Sequence, residues 1–455
     1  DGTPHTSRGW PLRARADSPG GALRPSFPVS NARLAERPAR LFRLLGLHHG
    51  TDTDVYGAAA MVGESVDAVR RALEVLAGAH LVNRTAAGRY GMHDLLRAYA
   101  AELAARHDPA AERTAGLTRL LDHSLAAAAT AMDVLYPAER HLRPAVDRPG
   151  TGLPPLRTTE EARAWLGAAQ PTLVALCSRT EEPGPSRYTV RIATTLHRHY
   201  ERSGHHTDAL TVHTYALRTA RSVGDARGEA DVLVCLGAVH RRLGDYDSAQ
   251  RLHDTALALC RRIGYAAGEA RHLTNVGVLH ELRGRYREAA EQHERAVALF
   301  RSVGDAHGEA DVLNNLGIVL ELLEDFEASV QRYERALELY RSVGHPVGEA
   351  GALGNLGILV ARLGDHTAAA RYFERALALF RRLANASGTG HAPTNLGKAL
   401  SGHGPPEEAA GHPREDLELL RRRIREHNLP QEAFEWYLDL LRYGTVRLGG
   451  FCRGI

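Results

Sequence analysis

The sequence predicts an all-α chain: an α-solenoid of stacked helical hairpins with a forty-residue repeat, preceded by a small module of three helices and a two-stranded hairpin. Three observations carry this. RSVGDARGEADVL begins at 221, RRIGYAAGEARHL at 261, RSVGDAHGEADVL at 301 and RSVGHPVGEAGAL at 341, each forty residues after the last. Between these markers, apolar residues recur at three- and four-residue spacing in two successive segments, the pattern of paired amphipathic helices. Residues 37–106 lack the period and instead give short helices and then two short strand-like runs. A single hairpin cannot bury its apolar face, so like neighbours stack into one continuous core.

In chain order, residues 1–33 are expected to be disordered, because the first 25 are rich in Pro, Gly and Arg and have no period. Residues 34–108 read as a winged-helix module. RPARLFRLLGL, DVYGAAAMVG and SVDAVRRALEVLAGAHL supply its helices, the third with Ser65 as N-cap. LVNRTAAGRYGMHD supplies two strands around Ala86, Ala87 and Gly88, and MHDLLRAYAAELAARH a further helix. Residues 109–184 form a helical linker region, and 185–410 the solenoid, with five units to about 384 and a decaying sixth.

Each unit pairs a helix A with a helix B. Gly237, Gly277, Gly317, Gly357 and Gly397 recur at one site of helix A. Ala249, Ala289, Ala369 and Ala409 (Ser329 in one unit) and Ala256, Ala296, Ala336 and Ala376 recur on helix B. Small side chains at fixed registers let two helices approach closely. Gly244, Gly284 and Gly364 should end helix A, and Gly264, Gly304 and Gly344 helix B, in the left-handed cap conformation. In the weaker first copy, YERSGHHTDALTVHTYALRTA, Gly204, Ala209 and Ala216 hold the same registers.

Bulk chemistry narrows the function classes. A net charge of +3 with interspersed signs predicts no strong non-specific pull toward nucleic acid or anionic membrane. Only one lysine, Lys398, occurs among 57 basic residues, the mark of a GC-rich genome, so arginine richness by itself carries little functional weight. Cys177, Cys235, Cys260 and Cys452 form no CxxC pair, which fits a reducing cytoplasm. No apolar run approaches the roughly 18 residues of a membrane span. Between Arg191 and His213, five histidines (His197, His199, His205, His206 and His213) read as surface residues, because metal needs ligands converging on one point. No metal, cofactor or catalytic residue is predicted.

The small and aromatic registers resemble the tetratricopeptide repeat, lengthened from the usual 34 residues to forty. The resemblance implies a concave face lined by helix A that takes a protein or peptide. Asn275, Asn315, Asn355 and Asn395 share one helix A register. They form either a ladder that bonds the backbone of an extended partner or a set that bonds neighbouring helices and orders the stack. Arg241, Arg242, Glu281 and Glu321 lie further along helix A and would set the charge of that face, or form a solvated one.

RLFRLLGLHHG, AGRYGMHDLLRAYAAELA and EARAWLGAAQPTLVALC, with the repeats, are similar over about 34–410 to actinobacterial NB-ARC/tetratricopeptide regulators of the antibiotic-regulatory type. This implies a transcriptional regulator. Met92-His93-Asp94 looks like that family's MHD motif, whose histidine senses ADP, so His93 would bind nucleotide only beside an NB-ARC domain, which this sequence lacks. The lone lysine sits in NLGKAL, so no Walker A loop is present and His93 is expected to pack or cap. Arg70 and Arg71 on the third module helix leave DNA contact open as an alternative.

Residues 411–455 break the repeat, with Pro413 inside the expected helix B and Asp416 at the small register. REDLELLRRRIREHNLPQEAFEWYLDLLRYGTVRLGGF resembles the C-terminal part of asparaginyl-tRNA synthetase through Trp436, Tyr437, Asp439, Arg442, Tyr443, Gly444 and Phe451. Where that family continues GFGLGLER, with an arginine that binds ATP, this sequence reads GFCRGI, which implies a remnant without ligase activity. The expectation is therefore a non-catalytic interaction module, with a degraded synthetase fragment and a winged-helix DNA binder as alternatives.

Overall fold

The computed structural model describes residues 34–86, 88–178 and 186–387. These divide into two compact units, the first holding residues up to Ser124 together with Arg148–Leu153, the second Leu125–Asp147 and the residues from Pro154 onward.

In the first unit, α1 (Glu36–Leu45) is followed by β1 (Asp52–Asp54), α2 (Val55–Val62), α3 (Val66–Gly78), β2 (Asn83–Ala86), β3 (Arg89–Gly91) and α4 (Asp94–His107). Asp54 starts α2 by accepting from the Gly57 amide at 2.8 Å, and Ser65 starts α3 by accepting from Ala68. The strand order is β1-β3-β2, antiparallel throughout. The hairpin read from the sequence is β2–β3, and Gly88 turns it with φ +73°. β1 adds a third strand of three residues, too short to show an alternating pattern. Leu41, Phe42, Leu44, Met61, Leu73 and Leu76 are all buried.

The second unit holds α6 (Thr159–Ser178) and then five hairpins among the described residues: α7 (Ser186–Ser203) with α8 (His206–Val223), α9 (Ala226–Arg242) with α10 (Tyr246–Ile263), α11 (Ala266–Leu282) with α12 (Tyr286–Ser302), α13 (Ala306–Leu322) with α14 (Phe326–Ser342), and α15 (Pro346–Arg362) with α16 (His366–Ser387). The expected sixth, with Gly397 and Ala409, lies outside the described residues, as does the segment 411–455. The period is explained by its parts: helices of 17 residues alternate with links of three. No helix among the described residues is long and apolar enough to cross a membrane.

The marker sequence is the link itself. Asp225 and Asp305 each cap the following helix A by accepting from the amide of the glycine three residues on, at 2.8 and 2.9 Å. His345 does the same through Nδ1 at 3.0 Å, which requires that nitrogen to be unprotonated. The arginine ending each helix B reaches the glutamate of the next first turn: Arg221–Glu229, Arg261–Glu269, Arg301–Glu309 and Arg341–Glu349 all measure 2.7 Å. One amphipathic link is thereby copied four times.

Inside each of the last four hairpins a glycine seats a ring. A Cβ at Gly237 would lie 2.5 Å from the His253 ring, at Gly277 2.5 Å from His293, at Gly317 2.5 Å from Tyr333 and at Gly357 2.7 Å from Phe373. Ala249, Ala289, Ala256, Ala296 and Ala336 are fully buried, and the Ser329 hydroxyl that replaces alanine donates to the Gly317 carbonyl at 2.7 Å. The apolar core runs unbroken from Leu257 to Ala376, so packing passes from hairpin to hairpin.

Candidate functional site

The first helices of four successive hairpins, α7, α9, α11 and α13, wall a concave cavity of about 830 Å³. Because each is a helix A in the same register, forty-residue steps place like positions side by side. One such row is Asp231, Arg271 and Asp311. Asp231 and Arg271 pair at 2.7 Å, Tyr265 donates to Asp231 at 3.1 Å, and Tyr340 donates to Asp311 at 2.7 Å. Burial alone would raise the Asp311 carboxyl, yet hydrogen bonding and the charge of His307, then the Tyr340 hydroxyl, hold it below the usual range.

At the α7 end the lining comes also from outside the repeats. Glu139, Leu142, Arg143 and Pro144, which follow α5 (Ala110–Leu135), line the cavity. Glu139 binds Arg198 at 2.8 Å and Arg202 at 3.2 Å. Arg198 also meets Glu201 at 2.5 Å. Burial would raise the Glu201 carboxyl, but Arg198, then His197 and Arg241, keep it ionised far into acid. This end of the cavity is therefore a fixed network of alternating charge, while the centre offers amides, tyrosines and the Asp–Arg row.

The sequence-expected residues fall as follows. Asn275 and Asn315 line the cavity. Asn275 donates to the Arg271 carbonyl of its own helix at 2.9 Å, and Asn355 donates to the Asn314 side chain of the preceding helix A at 3.0 Å. Asn395 lies outside the described residues. Arg241 and Arg242 approach Glu201 at 3.2 and 3.7 Å, Glu281 is buried, and Glu321 pairs with Arg362 at 2.5 Å. His93 is the exposed N-cap of α4, accepting from Leu95 at 3.4 Å. Arg70 and Arg71 are exposed on α3.

The reading of five surface histidines needs correction. His213 is fully buried, and its ring meets that of His197 edge-on at 5.8 Å, whereas His205 is exposed. The physical reason is register: position 213 is the ring position of the hairpin, as 253 and 293 are, and rings there point inward. Forty-residue alignment of the weak first copy carried that signal. The Asp231–Arg271–Asp311 row was legible in the same way, while the 139–144 lining left no periodic trace.

Comparison with known proteins agrees with this architecture. Residues 228–302 and 293–342 match one tetratricopeptide repeat model, and 350–391 match a second. The hairpins from α9 onward are tetratricopeptide repeats. The chain is 30% identical over 222 residues to the regulatory protein AfsR of Streptomyces griseus, covering 48% of this chain and 22% of that protein. With AfsR of Streptomyces coelicolor the identity is 33% over 218 residues, 46% of this chain and 21% of the relative. The chain thus spans about a fifth of the length of these curated relatives. Over 41 residues it is 61% identical to asparagine–tRNA ligase of Desulforamulus reducens, 9% of this chain and 10% of that enzyme. Among solved structures, a signal transduction ATPase with a tetratricopeptide repeat sensor from Pyrococcus horikoshii covers 94% of this chain and 63% of its own at 16% identity and TM-score 0.42. BtubC from P. vanneervenii covers 48% and 90% at 21% identity and TM-score 0.42.

Proposed function

We propose that this chain is a non-catalytic, protein-binding part of a cytoplasmic transcriptional regulator, which takes an extended segment of a partner into the cavity walled by α7, α9, α11 and α13. The observation that carries the reading is the cavity itself. It is long enough to involve four repeats, and its lining alternates acid and base along the Asp231–Arg271–Asp311 row beside the amides of Asn275 and Asn315. An extended polypeptide presents amide donors and acceptors at short regular intervals, and such a lining can satisfy them while excluding purely apolar ligands. The likeness to AfsR supports a role in regulation, and a nucleotide-binding switch beside or upstream of the repeats is the partner that role calls for.

The test is affinity capture from extract of the source cells with the wild-type chain and with an Asn275→Ala/Asn315→Ala/Arg271→Glu variant. Proteins held by the first and released by the second support the reading; an unchanged set sinks it. The purified chain is expected to form no adenylate from asparagine and ATP, measured by pyrophosphate exchange.

A further inference from the structure

Two departures from the repeat meet a ring-register histidine at one point. Where later hairpins have Gly237, Gly277, Gly317 and Gly357, the first has His197; where they have Asn275, Asn315 and Asn355, the second has Cys235. The third residue, His213, holds the ring register facing His197. Nitrogen atoms of the two histidines and the Cys235 sulfur lie within 4.8 Å of one another, the one such group among the described residues.

Both ring nitrogens of His213 are buried without a hydrogen bond, and so is Nδ1 of His197. Leaving a buried polar atom unpaired forfeits the hydrogen bonds it made to water. A packing solution was at hand, since the other hairpins use glycine against a ring. The Cys235 thiol has one weak contact, 3.4 Å to the Asp231 carbonyl. His197 and Cys235 both line the cavity, so the group is reachable from it.

We propose that His197, His213 and Cys235 bind one zinc-class divalent ion at the α7 end of the cavity, with a fourth position open to water or to a group carried by a bound partner. Two imidazoles and a thiolate are the donor set for a borderline-soft ion. Metal–nitrogen bonds of about 2.0 Å and a metal–sulfur bond of about 2.3 Å put ligand atoms roughly 3.3–3.6 Å apart in a tetrahedron. From within 4.8 Å this is a closing movement of at most about 1.2–1.5 Å, within the reach of small χ changes. On binding, the sulfur–metal bond forms as the Cys235 proton leaves to solvent. The inference stands independently of which partner the cavity takes.

The experiment is titration of the metal-stripped 455-residue chain with Co²⁺, followed by displacement with Zn²⁺. One equivalent is expected to bind, with an ultraviolet thiolate-to-cobalt band that Zn²⁺ abolishes and a melting temperature raised by Zn²⁺. The variants restore residues found at the same registers elsewhere in the chain, which protects folding: His197→Gly, His213→Phe and Cys235→Asn. Each should weaken binding at least tenfold, and Cys235→Asn should remove the band, while circular dichroism remains that of the wild type. Cys260→Ser, one repeat link away, should change neither. Absence of the band in the wild type, its survival in Cys235→Asn, or equal loss in Cys260→Ser would overturn the site.

Discussion

The first hairpin and the four that follow share a backbone but not a chemistry. In α9–α16 Gly237, Gly277, Gly317 and Gly357 each face a ring on helix B, and the links from one hairpin to the next repeat one arginine–glutamate pair. In α7–α8 the glycine has become His197, and the neighbouring cavity wall is finished by residues 139–144 from outside the repeat. Conformity to the period marks residues that serve packing, and departure from it marks residues answering to something else. A long repeat array therefore contains its own control: each position is compared with its copies under nearly the same environment.

The sharpest way to break this comparison is to place bulk at a seat that has none. Gly317→Val would drive a side chain into the Tyr333 ring, whose Cε1 already lies 2.5 Å from an ideal Cβ, and should cost about 3 kcal/mol or more in urea melts. If the cost falls below about 1 kcal/mol, the seat is not what fixes the hairpin.

Acid should separate the repeats next. Burial holds His253 near 3 and, with the charge of His253, takes His272 well below its ordinary value. His272 Nε2 meets the Ala230 carbonyl at 3.1 Å and the two Nδ1 atoms lie 3.0 Å apart, so His272 donates to the carbonyl and His253 donates to His272, both neutral. Because the folded values are depressed, the unfolded chain takes up protons first. Stability is intact above about pH 6.5 and falls as pH drops toward the folded value, by about 1.4 kcal/mol per unit for each imidazole. At pH 5 His253 alone should remove about 2 kcal/mol. Tyr333 and Phe373 hold the same register in the last two hairpins and do not gain a proton there. Amide exchange at pH 5 should accelerate in α10 and α11 before α14 and α16; uniform acceleration would contradict this.

Smaller effects sharpen the picture. Glu324 stands at the helix A stop where four other copies have Gly204, Gly244, Gly284 and Gly364, and it holds φ +63°. Glu324→Gly relieves that strain and should raise stability by about 0.5–1 kcal/mol, read as a higher thermal midpoint. Arg221→Ala should cost only about 0.5 kcal/mol despite its 2.7 Å contact with Glu229, since the arginine side chain is 53% exposed. A loss above 2 kcal/mol would show that the copied link does more than join helices.

Much of this architecture is legible in the order of residues. The period, the two helices per unit, the caps at Gly244 and Gly264 and the inward alanines follow from spacing alone, because packing of a repeat is a local matter. The charge pairing of Arg241 with Glu201 and of Glu321 with Arg362 does not, since an ion pair across forty residues depends on rotamers that spacing does not specify. The burial of His213 is legible only once the weak first copy is aligned with the others. Histidine is common on surfaces, and only its register, held in common with Tyr333 and Phe373, distinguishes an inward ring from an outward one.

The links have one more consequence. Asp305 and His345 begin consecutive helix A segments with the same cap, forty positions apart. Excising residues 306–345 would join Asp305 directly to Pro346, a residue already at home in the first turn of a helix, and every remaining junction would keep its native neighbours. Recombination between such similar stretches can therefore subtract or duplicate a whole hairpin without inventing a new turn. The length of the stack becomes a quantity that heredity adjusts in fixed increments, separately from the chemistry of the individual side chains.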